Sequence, residues 1–309
     1  MAKSQPNRKL TQQKSPAGNA QEGVDRFSVV EALINGTAPD TLIARLMTSG
    51  VSPASARFEV ERAAKSPYFA VAARFASRVA KRDWVLENIA ALGASEPDAL
   101  VIPQIDRIDP AHFFGRYYAQ NRPAKLTGLV DAWPALKNWS FDYFADLLGP
   151  VDIGVQWDRD ADTDYEAQCN LHKAVMPAAE IFARIKAGAS NDFYVTANNN
   201  DVNWSALAPL WRDVGVIPGI LEKQAPRDGY VWMGPQGTVT PWHHDLSNNL
   251  LMQFVGRKRV RLIAAHDTYR MRNTRHCFSD WSAEDLLPGS GDLRRPPVLE
   301  CIIGPGEGL

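Results

Sequence analysis

Cysteine is scarce in this sequence, with only Cys169, Cys277 and Cys301 spread over 309 positions. Thiols so few and so widely separated argue against a disulfide framework and fit reduced cysteines in a cytoplasmic protein. Charge of one sign is also lacking: 34 Lys and Arg stand against 35 Asp and Glu, a formal net charge of −1. That balance argues against a broad basic footprint, so no nucleic-acid partner is expected. No apolar run is long enough to span a bilayer and the N-terminus has no signal-peptide hydrophobic region, so no membrane partner is expected. What is present is a hydrophobic content of 45%, enough for a sizeable core and two structural units.

Residues 1–23 are rich in Gln, Lys, Ser, Asn, Pro and Gly and offer almost nothing to bury, which predicts a disordered tail. Residues 24–95 read as a small helical module. Phe27, Val30, Leu33 and Ile34 keep one apolar face up to Gly36, and Leu42, Ile43, Leu46 and Met47 form a second up to Gly50. Ser52-Pro53 supplies an N-cap followed by proline at the first helical position, and Pro67 restarts a fourth helix. This module has no cluster of ligating side chains and is read as a packing or dimerising unit, which leaves a homodimer open, with substrate recognition as the alternative role.

Beyond residue 96 the periodicity shortens. Ala124–Val130, Val151–Trp157, Phe193–Thr196 and Gly229–Met233 read as strands, with Val151–Trp157 alternating as a half-buried strand should. Ser140 is a candidate N-cap for a helix carrying Phe141, Phe144, Leu147 and Leu148, and Met176-Pro177 leads into another. Trp133 and Trp139 are expected in the core, and the acidic stretch from Asp158 to Glu166 is expected to be a solvated loop. His172 stands alone in a turn-like region, with no chemical role expected.

The stretch Gly237 to Asp245 opens with β-branched residues and then places a histidine and an aspartate two positions apart. On a strand, residues i and i+2 share a face, so His243 and Asp245 converge while His244 turns away. Imidazole and carboxylate converging on one point are two thirds of the 2-His-1-carboxylate triad that holds non-haem Fe(II). Downstream, two apolar β-prone runs are split by Gly256, which suggests a hairpin; periodicity alone also fits a helix over 246–255.

The register Thr240-Pro241-x-His243-x-Asp245, with Asn249, Gln253, Gly256, Lys258 and Arg259, resembles the cupin-like JmjC family of Fe(II)- and 2-oxoglutarate-dependent oxygenases. Phe114, Tyr118, Asn121 to Ala124, Gly128-Leu129, Trp133 to Ala135 and Trp139 to Tyr143 resemble that family's opening segment. The resemblance covers about residues 110–309 and implies a mainly β fold with α. Its core would be a double-stranded β-helix, the cupin/JmjC jelly-roll barrel, and the helical module precedes it. The expected JmjC domain is 96–309.

The resemblance also implies roles. His243 and Asp245 would bind Fe(II), and Lys258, Tyr194 and Thr240 would hold the distal carboxylate of 2-oxoglutarate. Asn249 would orient the metal-bound end of the co-substrate or a water. A buried carboxylate demands a cation and hydrogen-bond donors, which these side chains supply. The implied reaction is hydroxylation of a protein or peptide side chain; a catalytically silent cupin scaffold is the alternative. Relatives carry a second histidine ligand shortly after a turn like Pro305-Gly306-Glu307, and this sequence ends at Leu309. His266 and His276 precede the turn and match no family position. The domain is therefore expected to be C-terminally incomplete, or else to carry an incomplete iron site.

Overall fold

The computed structural model describes residues 24–222, 229–245, 247–289 and 295–309. The stretch 1–23, expected to be a disordered tail, lies outside the described residues. The chain divides after Val85 into two compact units.

In the first unit the helix signals act locally. Asp25 accepts a hydrogen bond from the Phe27 amide to open α1 (Arg26–Ile34), and Pro39 opens α2 (Pro39–Thr48). Ser52 accepts from the Ser55 amide to open α3 (Pro53–Ala64), and α4 (Pro67–Gly93) follows, the division after Val85 falling within it. Val29, Leu33, Leu42 and Val60 are the buried centre of this unit. Each such side chain contributes about 1.5–3 kcal/mol by leaving water.

In the second unit β1 (Gln104–Asp106) pairs in parallel with β2 (Lys125–Thr127). Between them lies α5 (Pro110–His112), running into a wider turn of helix at Phe113–Tyr118. Next come α6 (Pro134–Asn138) and α7 (Phe141–Leu148), the latter capped by Ser140, whose hydroxyl accepts from the Tyr143 amide. The central sheet has β3 (Asp152–Trp157) between β4 (Lys173–Pro177) and β5 (Phe193–Tyr194), antiparallel to both. After β4 the chain enters α8 (Ala178–Ala187), and after β5 it reaches α9 (Asn200–Ala206). A third sheet pairs β6 (Lys258–Leu262) with β7 (Leu299–Ile303). The unit is thus made of sheets and helices; among the described residues the strands form three separate sheets rather than one closed barrel.

Three sequence expectations are corrected here. β3 does not alternate: Ile153, Gly154, Val155 and Gln156 are buried in succession. One face packs Ile153 and Val155 against Phe144, Ile181 and Phe182 of α7 and α8. On the other face Asn203 of α9 binds both backbone groups of Gly154, accepting from its amide at 2.6 Å and donating to its carbonyl at 2.9 Å. A strand covered on both sides loses the two-residue period.

The second correction concerns Gly256, which turns the chain at φ +72° without folding the flanking runs onto each other. Leu251 and Gln253 pair instead with Leu309 and Glu307, while β6 pairs with β7. The whole stretch from Leu251 to Leu262 therefore runs beside the last stretch of the chain, with no helix. Third, the expected strand Gly229–Met233 is reduced to one bridge between Met233 and Val195. Val195 comes directly after β5, which is only two residues long, and Thr196 then bonds Asn199 as the chain turns.

Candidate functional site

The segment around His243 is held extended by a neighbour rather than by a long sheet. The His244 amide donates to the Cys277 carbonyl (3.1 Å) and the Ser279 amide to the Trp242 carbonyl (2.9 Å), placing His243 opposite Phe278. In this setting His243 Nε2 lies 4.0 Å from Asp245 Oδ1, with the side chains 32% and 52% exposed. His243 Nδ1 lies 2.8 Å from the Pro241 carbonyl. A carbonyl only accepts, so we infer that Nδ1 carries the proton and that Nε2 presents its lone pair beside the carboxylate. The other carboxylate oxygen, Asp245 Oδ2, accepts from Asn249 Nδ2 at 2.5 Å. A fixed tautomer and a carboxylate held by one oxygen are features that orient ligands toward a cation. Among the described residues no group of three His, Cys, Asp or Glu side chains is gathered for a metal.

A second pair lies in the interior. Tyr194, on β5 opposite Gln156 of β3, is 5% exposed. Lys258, the first residue of β6, donates from Nζ to the Tyr194 hydroxyl at 3.0 Å. The ring is so closely approached that a Cβ on Gly234 would lie 2.6 Å from Tyr194 Cδ2. An ammonium and a phenol side by side present positive charge and a donor, which suits a carboxylate. Thr240, expected to join them, is exposed and among the described residues is hydrogen-bonded to neither pair.

Beside Tyr194 lies a residue that sequence reasoning missed. The acidic stretch from Asp158 to Glu166 was expected to be a solvated loop, yet Arg159 is 1% exposed and Tyr165 is 8% exposed. Arg159 Nη2 donates to the Val239 carbonyl at 2.7 Å and to Glu166 Oε1 at 3.3 Å. Its Cζ stacks over Tyr165 at 4.2 Å and over Tyr194 at 5.3 Å from the ring centroids. The Tyr165 hydroxyl also donates to Val239, whose amide in turn donates to Asn191 Oδ1. Burial pushes the Glu166 carboxyl above its ordinary range, while the charges of Arg159 and His243 pull it back. The available signal was a lone arginine with a tyrosine inside an acidic run, where a solvated loop needs neither. His172 bonds the Trp157 carbonyl and Asp162, as a structural histidine does. A surface hollow lined by Ala145, Ala179, Phe182, Ala183, Lys186 and Ala187 includes none of the site residues.

Comparison with known proteins bears on this arrangement. A family model described as "Cupin-like domain" matches residues 110–307. The chain is 26% identical over 223 residues to "Lysine-specific demethylase 8" of Xenopus tropicalis, covering 67% of this chain and 47% of that protein. It is 27% identical over 190 residues to "Jumonji C domain-containing protein 5" of Drosophila melanogaster, covering 54% and 42%. To "tRNA wybutosine-synthesizing protein 5" of Danio rerio it is 25% identical over 238 residues, covering 68% of each. The chain spans about half the length of the first two of these relatives. With the family model matched across most of the second unit, the chain belongs to the cupin-like JmjC family of Fe(II)- and 2-oxoglutarate-dependent oxygenases.

Proposed function

We propose that this protein is an Fe(II)- and 2-oxoglutarate-dependent oxygenase that hydroxylates a protein or peptide side chain. In this reading the second unit is a double-stranded β-helix, the protein is cytoplasmic, and the helical module supports a homodimer. The observation that carries it is the His243–Asp245 pair at 4.0 Å, with His243 Nδ1 held 2.8 Å from the Pro241 carbonyl. The donor set suits the group: neutral imidazole and carboxylate are what a divalent ion of this class takes. His243 and Asp245 would hold the iron, and Asn249 keeps Asp245 oriented. The iron supplies, when bound, the binding and activation of O2.

Lys258 and Tyr194 would receive the distal carboxylate of 2-oxoglutarate, and the burial of Tyr194 keeps water from competing for it. The net chemistry takes one O2, converts 2-oxoglutarate to succinate and CO2, and places one oxygen atom in a substrate C–H bond. The relative named as a lysine-specific demethylase supports a protein substrate, and the one named for tRNA wybutosine synthesis makes tRNA the substrate to test against it. Anaerobic titration of the Fe(II)-loaded protein with 2-oxoglutarate is the direct test. An oxygenase develops a weak metal-to-ligand charge-transfer band, and Lys258→Ala weakens co-substrate binding by about 2–5 kcal/mol while sparing iron. No band and no binding would leave a silent cupin scaffold.

A further inference from the structure

Arg159 has more hydrogen-bonding capacity than its surroundings use. Its side chain is fully buried, and Nη2 alone makes the bonds to Val239 and Glu166. Nε and Nη1 meet no partner among the described residues. These nitrogens carry three N–H groups, and among the described residues Gln156 Oε1, from the residue opposite Tyr194, is a buried acceptor that is also without a partner. The interior is therefore rich in donors. It is also rich in positive charge, because Lys258 adds an ammonium at the Tyr194 hydroxyl while Glu166 is the carboxylate within reach of Arg159. A buried guanidinium with unmet donors is costly unless an anion completes it.

We infer that Arg159 is a second cation of the co-substrate pocket, binding a carboxylate through Nε and Nη1 near the Tyr194 ring that Lys258 also approaches. The inference rests on the proposed use of 2-oxoglutarate and adds a residue that the family resemblance does not assign. Arg159 also ties that pocket to the metal-bearing segment. It stacks on Tyr194, whose hydroxyl meets Lys258, and it grips the carbonyl of Val239, four residues before His243. The Tyr165 hydroxyl and Asn191 clamp the same residue, so the backbone entering the His243 segment is held by three side chains from elsewhere. Carboxylate binding at Arg159 would thus fix both the co-substrate and the approach to its chelating end.

The experiment separates a direct contact from a structural one. The full chain is loaded with Mn(II), and the affinities of 2-oxoglutarate and of 2-oxobutanoate are measured by calorimetry. The second ligand keeps the 2-oxo acid head and lacks the distal carboxylate. Arg159→Met weakens 2-oxoglutarate by about ten- to hundredfold and 2-oxobutanoate by less than about twofold, as loss of a hydrogen bond to a charged group requires. Arg159→Lys, which keeps a charge and a donor for Val239, gives the same selectivity with a smaller loss and serves if the Met variant does not fold. Equal losses for both ligands, or no loss for either, would overturn the assignment. Glutarate without metal is the remaining arm. If the parent binds glutarate through Arg159 but never binds a 2-oxo acid, the oxygenase reading fails and the carboxylate seat stands; if it binds neither, both fail.

Discussion

Gly234→Ala tests the packing on which the interior pair depends. The added methyl would sit 2.6 Å from Tyr194 Cδ2 and 2.8 Å from Thr238 Oγ1, closer than Cβ atoms approach their neighbours. The ring has little room to retreat, with Arg159 stacked at 5.3 Å and Trp232 packed at 5.5 Å. Overpacking of this kind costs about 1–3 kcal/mol. Any ring movement also strains the 3.0 Å bond to Lys258, a further loss of about 1 kcal/mol. Together these give about 2–4 kcal/mol. With a urea slope of about 2 kcal/mol/M, the unfolding midpoint of the second unit falls by about 1–2 M. Gly256→Ala is the comparison: its Cβ meets open space, but its φ of +72° carries a backbone cost of about 1–2 kcal/mol. The assay is urea unfolding followed by near-ultraviolet circular dichroism, with 2-oxoglutarate affinity measured on the folded protein. A midpoint unchanged by Gly234→Ala would refute the close approach to Tyr194.

Other outcomes follow from the same geometry. His243→Ala and Asp245→Ala each lower Fe(II) or Mn(II) affinity by tenfold or more, about 1.4 kcal/mol or above, whereas His244→Ala leaves it unchanged; a metal titration in which His244→Ala behaves like His243→Ala would mean the wrong face of the segment. Asp213→Ala leaves Trp139 Nε1–H and the Tyr143 hydroxyl, at 3.0 and 2.7 Å, without their shared acceptor; the cost is about 2–3 kcal/mol, read as a melting temperature lower by about 4–12 °C. Glu307 accepts from Lys125 and from the Gly304 amide, which together hold its carboxyl below the ordinary 4.5. A depressed carboxyl stabilises the fold above its unfolded value and loses that contribution as pH falls through the folded one, so the loss is confined to below about pH 4.5. Glu307→Gln therefore removes about 0.5–1 kcal/mol at neutral pH and nothing once the parent carboxyl is protonated, which a pH series of melting temperatures would show or deny.

Much of this protein is determined by short-range sequence. Ser52, Ser140 and Asp25 cap helices because a hydroxyl or carboxylate reaches amides two or three residues ahead, a relation that needs no partner element. The convergence of His243 and Asp245 is likewise a property of two positions on one extended segment. The pairing of Tyr194 with Lys258 spans 64 positions and was legible only through the family register. Tertiary structure alone decided the rest. β3 is buried on both faces because α9 covers the side that alternation would leave to solvent. The runs flanking Gly256 take their partners from the last stretch of the chain rather than from each other, since a glycine permits a turn without choosing what it brings together. Arg159 reads as one more charge in an acidic loop, and it becomes a buried cation because Tyr165, Tyr194 and Val239, distant in sequence, close around it. Local chemistry sets which groups are available, and long-range packing sets which of them lose water, so the candidate donors were written in the sequence while their burial was not.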